Sequence, residues 1–543
     1  MAYNIIGTVD LASIYPDGQI TTTGRITLTQ ALTELKKDQF ANDDRIRIIY
    51  DQDTKHFPIL ETVVRTINSV DITNCFILIT TGNEKIVSAI RHLVETVSTD
   101  KTQLDFEIVD REFIVEDSVQ YTYNDAEPTK ISLDQLNDRE KFLLTESQTF
   151  CMLPWIHLHA YPTGDAYPCC HAEHLSGNFG NCQTTPMKEI WSGDKMKQLR
   201  DDMLNDRKNP ACTRCYEQEK SGFFSGRKSA NKHHGHHIDK VKDVDPPFEM
   251  TYWDIRFSNL CNLSCRSCGH IFSSSWYQDQ VNLAGEEWAK NNKPLFWAGR
   301  HKLDMVEQLM EHLEYVDQIY FAGGEPLMMD EHYVILEELE RRKRFDVRLI
   351  YNSNFTKTKL KDRYVFDYWK KFDSVAVGAS LDAMGTRAEY IRKGTKWADV
   401  EDNRRKMLEI CPEVDFYISP TLSIQNALHI PDFHRDWVEK GLLKPQDLNI
   451  NLLQDPEWLR IDIAPQHYKD KIKAKYEEHL EWLRPLDKLN RATVGFESAI
   501  NFLETDNTHL LPKFFERMTK LDEMRGETLL DVIPELNEIR INN

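Results

Sequence analysis

Short apolar runs alternate with helically spaced apolar positions along most of this chain. Ile46–Tyr50, Cys75–Thr80 and Leu104–Val109 are runs of strand length, and apolar residues recur at helical spacing over Pro58–Ile67 and Glu84–Val97 between them. Strand, helix, strand, helix, strand predicts a small α/β unit with a parallel sheet. No glycine-rich phosphate loop appears in it, so residues 1–146, including a polar and acidic linker over 110–146, carry no visible chemistry.

The alternation returns over residues 249–456. Strands are predicted at Met250–Phe257, Gln318–Phe321, Val347–Tyr351, Val375–Leu381, Asp415–Leu422 and Leu448–Leu453, with helical patterns between them. Six repeats of strand then helix predict a partial (β/α)6 barrel, with functional residues at the C-terminal ends of the strands. Between the two α/β regions, residues 147–230 are irregular and cysteine-rich, and residues 231–248 read as a polar, histidine-rich linker. Residues 457–543 are helical in pattern, broken at Pro485 and Pro512.

Composition narrows the function classes. The 543 residues are 41% hydrophobic and 28% charged, with 67 Lys+Arg against 87 Asp+Glu and a formal net charge of −20. Such a surface disfavours nucleic acid and anionic membranes as partners. The one dense basic run, Arg341–Arg344, follows acidic residues at a predicted helix C-terminus, where cations complement the helix dipole. No apolar run approaches the ~20 residues of a bilayer span, and the first residues lack the basic start and apolar stretch of a signal peptide. A cytoplasmic location is the expectation. The 11 cysteines then point to thiolate ligands or buried thiols rather than a disulfide scaffold.

Three of them, Cys261, Cys265 and Cys268, follow the first barrel strand with the spacing C-x3-C-x2-C. Three thiolates on one tight loop can hold three irons of a [4Fe–4S] cube and leave the fourth open. The competing reading is zinc, with His270 completing a Cys3His set. Further segments end successive strands: Gly323-Gly324-Glu325-Pro326 after the second, Asn352-Ser353-Asn354 after the third, Ser380-Leu381-Asp382 after the fourth, then Tyr390-Ile391-Arg392-Lys393-Gly394, and Thr421-Leu422-Ser423 with Asn426 after the fifth. With these motifs in this order, the chain resembles the radical S-adenosylmethionine (SAM) enzymes. The resemblance implies that Gly323, Gly324, Glu325 and Pro326 hold the amino end of SAM, that Asn354 lies near it, that Ser380 and Asp382 serve the ribose segment, and that Arg392 meets the carboxylate. One departure is Ser267, where many members have an aromatic residue beside the adenine.

A second set lies upstream: Cys151, then Gly164, then Cys169-Cys170, and after a long gap Cys212-x2-Cys215. This resembles the auxiliary-cluster domain of SPASM and twitch radical SAM enzymes, and Gly177-Asn178, Glu189-Ile190-Trp191, Met196 and Leu199-Arg200 fit the same domain. The resemblance implies a second [4Fe–4S] cluster on Cys151, Cys169, Cys212 and Cys215, with Cys170 an alternative to Cys169. Ser221 stands where a full SPASM domain continues with cysteine, which favours the single-cluster twitch form. The domain precedes the barrel here, a permuted order. The zinc alternative pairs Cys212 and Cys215 with His233 and His237. Cys75, Cys182 and Cys411 read as ordinary buried thiols.

The resemblance implies an enzyme that reductively cleaves SAM to a 5′-deoxyadenosyl radical and abstracts hydrogen from a substrate, in most relatives a peptide or protein. It also implies an external electron donor of the flavodoxin or ferredoxin type. A small metabolite or nucleotide as substrate, and a zinc-dependent binding protein without catalysis, are the alternatives. The segment Leu521–Glu527 resembles the tail of permuted twitch-type proteins, and the sequence assigns it no mechanism.

Overall fold

The computed structural model describes residues 8–14, 20–27, 45–50, 74–79 and 103–108, then residues 135–540 except 175–177, 221–223 and 489. The chain divides into two compact units, Met1–Ala126 and Glu127–Asn543. In the first, β1 (Thr8–Ile14), β2 (Ile20–Thr27), β3 (Arg45–Tyr50), β4 (Asn74–Ile79) and β5 (Gln103–Ile108) form one sheet in the order β2-β1-β3-β4-β5. Pairs β3–β4 and β4–β5 are parallel, as the alternation predicts. Strands β1 and β2 add an antiparallel edge that sequence reading missed, because threonines and charges break up their apolar pattern. The helices predicted at 58–67 and 84–97 lie outside the described residues.

The second unit is built on an eight-stranded sheet. Its first strands are β6 (His159–Ala160), β7 (Asp165–Tyr167) and β8 (Gly180–Asn181) from the cysteine-rich region, then β9 (Tyr252–Ile255). Next come β10 (Ser264–Cys265), β11 (Gln318–Phe321), β12 (Arg348–Ser353) and a small hairpin of β13 (Lys359–Leu360) and β14 (Arg363–Tyr364). The last are β15 (Val375–Ala379), β16 (Arg392–Lys393), β17 (Asp415–Ile418), β18 (Thr421–Leu422) and β19 (Asn451–Leu452). The sheet order is β17-β15-β12-β11-β9-β6-β7-β8. Neighbours from β17 through to β6 are all parallel, and the parallel pair β18–β19 with the bridge Ile418–Leu448 continues the series.

Burial explains the strand sequences. All five positions of β15 are buried, as in a parallel sheet covered on both faces. In β12, Leu349, Tyr351 and Ser353 are buried while Arg348, Ile350 and Asn352 alternate with them on a more open face. Helix Asp330–Arg341 buries Tyr333, Ile335, Leu336 and Leu339, begins with two acids and ends on Arg341, which suits its dipole. The C-terminal region is helical, with Gln466–Leu483, Arg491–Phe502 and Leu511–Arg525, the last closed by Gly526 at φ +64°. Among the described residues, no helix is long and apolar enough to cross a membrane.

Two expectations change. The cysteine-rich region is joined to the main sheet: His159 and Ala160 of β6 pair with Asp254 and Ile255 of β9. Residues 231–248 do not form an extended linker. Helix Gly226–His234 and the 3-10 helix Gly235–Lys240 pack inward, burying Ala230, Asn231, His234 and Ile238.

Candidate active site

The loop after β9 carries the three-cysteine motif and is held on several sides. Cys265 in β10 pairs antiparallel with Arg392 in β16, so the second cysteine and the candidate arginine lie opposite each other. Ser274 and Ser275 donate their hydroxyls to the Cys261 carbonyl (3.2 and 2.8 Å), and Trp276 Nε1 donates to the Cys265 carbonyl (2.8 Å). The GGEP segment presses on the loop from the next strand end. Gly324 and Glu325 N–H groups donate to the carbonyls of Ser258 (3.2 Å) and Leu260 (2.7 Å). A Cβ at Gly324 would collide with the Leu260 carbonyl oxygen, and Gly323 sits at φ +113°.

Cys261, Cys265, Cys268, Gly323, Gly324, Asn354, Ser380 and Arg392 line one cavity of about 910 Å³. Five separate segments of the chain converge there. Burial pushes the Cys261 and Cys268 thiols up to about 12 and raises Cys265 as well. Two donors face the sulfurs: Asn354 Nδ2 is 3.8 Å from Cys261 Sγ, and Arg392 Nη1 is 3.7 Å from Cys265 Sγ.

Glu325, Pro326 and Asp382, expected at the cofactor, stand behind the cavity wall. Glu325 is 0% exposed and accepts from Leu327 N (3.1 Å), Ser353 Oγ (2.9 Å) and Asn354 N (2.7 Å), tying the GGEP turn to the end of β12. Burial raises its carboxyl from 4.5 to about 7. Pro326 is buried at the start of a 3-10 turn. Asp382 takes both arms of the Arg392 fork (Nε–Oδ2 2.7 Å, Nη2–Oδ1 3.0 Å) and accepts from Thr421 N (2.8 Å). Arg392 therefore presents Nη1 toward the cysteines rather than an open fork. Asn426 bonds the carbonyls of Asp382 and Thr421 and closes two strand-end loops together.

Sequence reading missed the fourth wall. Arg517, Met518, Lys520 and Leu521 of the C-terminal helix line the cavity, as do Trp458 and Arg256. Arg266, between Cys265 and Cys268, is buried and donates to Asp522 (2.6 Å) and Glu527 (2.8 Å) while stacking 3.6 Å over the Tyr390 ring. Arg525 pairs with Asp279 (2.7 Å) and Lys393 with Glu527 (2.7 Å). The Leu521–Glu527 segment thus clamps the cysteine loop. The sequence assigned it no mechanism, because its partners lie 132 to 261 residues upstream.

The second cysteine set is brought together by β7 and three helical segments. The electrostatic neighbours of the Cys169 thiol include Cys151, Cys212 and Cys215. The neighbouring Cys170 instead has Asp254 and Arg256 as its leading electrostatic neighbours. These surroundings group Cys169 with the other three. Asn209 caps the 3-10 turn ending at Cys212 by accepting from Ala211 N (3.0 Å). Asn231 accepts from Met152 N (2.9 Å) and Arg227 donates to the Phe150 carbonyl (2.9 Å), so Asn231, expected to belong to a linker, helps fix the Cys151 loop. Trp191 and Arg200 are packing residues, bonded to the carbonyls of Pro246 and Pro154.

Neither cysteine set is drawn in to the spacing of a single zinc ion. Bonds of about 2.3 Å in a tetrahedron put sulfurs about 3.8 Å apart. Among the described residues, the groups of three ligand atoms lying within 4.8 Å of one another include none of these cysteines. The histidines of the zinc alternative also go elsewhere: His233 bonds Ser229 (2.8 Å to its carbonyl) and His237 bonds Asp317 (2.8 Å). Cys182 and Cys411 are buried thiols, as expected, and the side chain of Cys75 lies outside the described residues.

Residues 151–216 match the SPASM family, described as an iron-sulfur cluster-binding domain. Residues 151–216 are thus a SPASM-type domain. The match ends one residue after Cys215 and so spans all four cysteines of the second set. The family description assigns iron-sulfur cluster binding to this region. No curated protein matches the chain. Among solved structures it is similar to "Native anSMEcpe with bound AdoMet and Kp18Cys peptide", at 19% identity over 42% of this chain and 59% of that one, with a TM-score of 0.30. A second, "Native anSMEcpe with bound AdoMet", is 18% identical over 46% of this chain and 62% of that one, with a TM-score of 0.30. The chain spans about three fifths of the length of these structures.

Proposed function

We propose that this protein is a peptide- or protein-modifying radical SAM enzyme. The carrying observation is the convergence of Cys261, Cys265, Cys268, Gly323, Gly324, Asn354, Ser380 and Arg392 on one cavity. The parallel series from β9 to β19 is read as the partial (β/α)6 barrel. When bound, the first cluster and SAM together supply a 5′-deoxyadenosyl radical that abstracts hydrogen, the hard chemistry belonging to the cofactors.

The chain's residues provide position, charge and enclosure. Cys261, Cys265 and Cys268 would hold three irons and leave one for SAM. The Asn354 and Arg392 donors facing two of the sulfurs favour a reduced, more negative site, since hydrogen bonds to sulfur tune cluster potential. Asp382 keeps Arg392 in that orientation. The C-terminal helix and Trp276 shield the loop from water. Cys151, Cys169, Cys212 and Cys215 would hold the auxiliary cluster, which relays an electron or anchors substrate. A flavodoxin- or ferredoxin-type protein serves as donor, in a reducing cytoplasmic setting.

A peptide is favoured over a small polar metabolite by the rim. Ile271, Phe272 and Leu283 line the cavity and are 51%, 39% and 38% exposed, three of the five most exposed large apolar side chains among the described residues. Clustered exposed apolar groups mark a binding groove, and about 910 Å³ is at the upper end of small-ligand pockets.

The test is anaerobic reconstitution followed by incubation with SAM and a strong reductant. The protein should form 5′-deoxyadenosine, and Cys265→Ala should form none. Zinc without iron in the purified protein, or turnover without 5′-deoxyadenosine, overturns the reading.

A further inference from the structure

Four histidines crowd the segment His233-His234-Gly235-His236-His237, and the structure gives them different fates. His233 Nδ1 is bonded to Ser229. His234 is buried and stacks on Tyr252, with ring centroids 4.9 Å apart. Only His236 and His237 turn the same way. Their Nε2 atoms lie 2.9 and 2.8 Å from one atom, Asp317 Oδ2. The other carboxylate oxygen, Oδ1, is buried without a hydrogen-bond partner. All three residues are partly exposed, so an ion can reach them from solvent.

Asp317 immediately precedes β11, at the N-terminal end of the parallel strands. The cysteine loop and the GGEP turn follow the opposite ends of β9 and β11. The trio therefore lies across the sheet from the cavity and outside the SPASM match.

We propose that His236, His237 and Asp317 form a binding site for a divalent transition metal of the zinc type. Two imidazole nitrogens and a carboxylate oxygen are a common zinc donor set, with water completing a tetrahedron. Metal–ligand bonds of about 2.0–2.2 Å require ligand atoms about 3.3–3.5 Å apart. The carboxylate must swing outward by about half an ångström, which its unpartnered Oδ1 leaves it free to do. The metal would replace two hydrogen bonds onto one oxygen by two coordinate bonds. It would pin the helical segment that follows the auxiliary domain to the base of the main sheet.

The surroundings set this trio apart from others. His157, His159 and Asp254 also converge, but Arg256 already neutralises Asp254 (2.8 Å) and would repel a cation. In the His301, Asp304 and Glu307 group, Arg300 holds Asp304 in the same way. Of the cations near Asp317, Arg344 is committed to Asp346 (2.8 Å) and to the carbonyls of Leu313, Glu314 and Val316, and Arg348 bonds the Asp317 carbonyl through its backbone N–H (2.9 Å). Lys240 is likewise paired with Glu249 (2.6 Å).

The experiment uses the full chain with its iron-sulfur clusters reconstituted anaerobically, then equilibrated with Zn²⁺ and desalted. Zinc and iron are counted together by plasma emission spectroscopy. Wild type should retain about one zinc per chain beyond its iron. Asp317→Asn, and separately the double variant His236→Gln with His237→Gln, should lose that zinc while keeping wild-type iron. Added Zn²⁺ should raise the melting temperature of wild type and leave both variants unmoved. Unchanged iron shows that a variant has folded. Zinc retained equally by wild type and both variants, or not retained by iron-replete wild type, overturns the site. Both results leave the proposed SAM chemistry untouched, because that is read from 5′-deoxyadenosine.

Discussion

Arg266 Nη2 lies 2.6 Å from Asp522 Oδ1, joining the cysteine loop to a helix 256 residues downstream. Glu527 accepts from the same nitrogen at 2.8 Å, and the guanidinium lies flat on Tyr390. A planar, delocalised cation suits a site with two carboxylates and an aromatic face.

Removing one partner of this buried group leaves charge uncompensated. Arg266→Met should lower stability by about 3 kcal/mol or more and reduce iron retention, because the loop between Cys265 and Cys268 loses its clamp. Thermal unfolding with parallel iron analysis checks this. A melting temperature and iron content equal to wild type would show the clamp to be dispensable.

The two adjacent cysteines should behave differently. With two clusters the protein carries about eight irons, and Cys169→Ala should lower this to about four. Cys170→Ala should leave about eight, since the leading electrostatic neighbours of that thiol are Asp254 and Arg256. Iron and sulfide counts on both variants decide the matter; the opposite pattern assigns the ligand to Cys170.

Gly324 is the point of closest approach between two strand-end loops. Gly324→Ala places a methyl group against the Leu260 carbonyl, where overpacking costs about 1–3 kcal/mol. The loop carrying Cys261 must shift, so the first cluster should load less well while the auxiliary cluster is unaffected. Mössbauer or EPR signals of the two clusters separate these effects.

Glu325 gives the fold a pH dependence of predictable sign. Its carboxyl rises from 4.5 to about 7 through burial, so between those values the folded protein holds a proton that the unfolded chain has released. This contribution to stability is full below pH 4.5 and is lost as the pH rises to about 7, by about 3 kcal/mol at most. Glu325→Gln should flatten the dependence across that window. Denaturant titrations of both proteins at pH 5 and pH 8 measure it, and equal differences between the two pH values in both proteins would contradict the assignment.

Much of the parallel sheet was legible because its strands are short apolar runs separated by helical spacing. β11 occurs at the residues predicted, and β12, β15 and β17 fall within a few residues of expectation. β1 and β2 were not legible, since polar residues interrupt β1 and the threonine-rich pattern of β2 resembles a polar loop. The same limit applied to 231–248. Its histidines and lysines look like a solvated linker, yet Asn231 and His234 are buried by partners 80 or so and 18 residues away.

The sequence by itself determined what depends on neighbours along the chain: the three thiols of one loop, the C-x2-C pair, the glycines of a close approach and the order of strands. These are local constraints, and spacing encodes them directly. Tertiary structure decided that Arg392 is held by Asp382, and that Glu325 braces a turn instead of touching the cavity. It also decided that the last helix clamps the first cluster loop and that two of four histidines meet an aspartate. Each of these depends on side-chain direction and on contacts between distant segments. Those are set only when the sheet buries its core and brings the strand ends together.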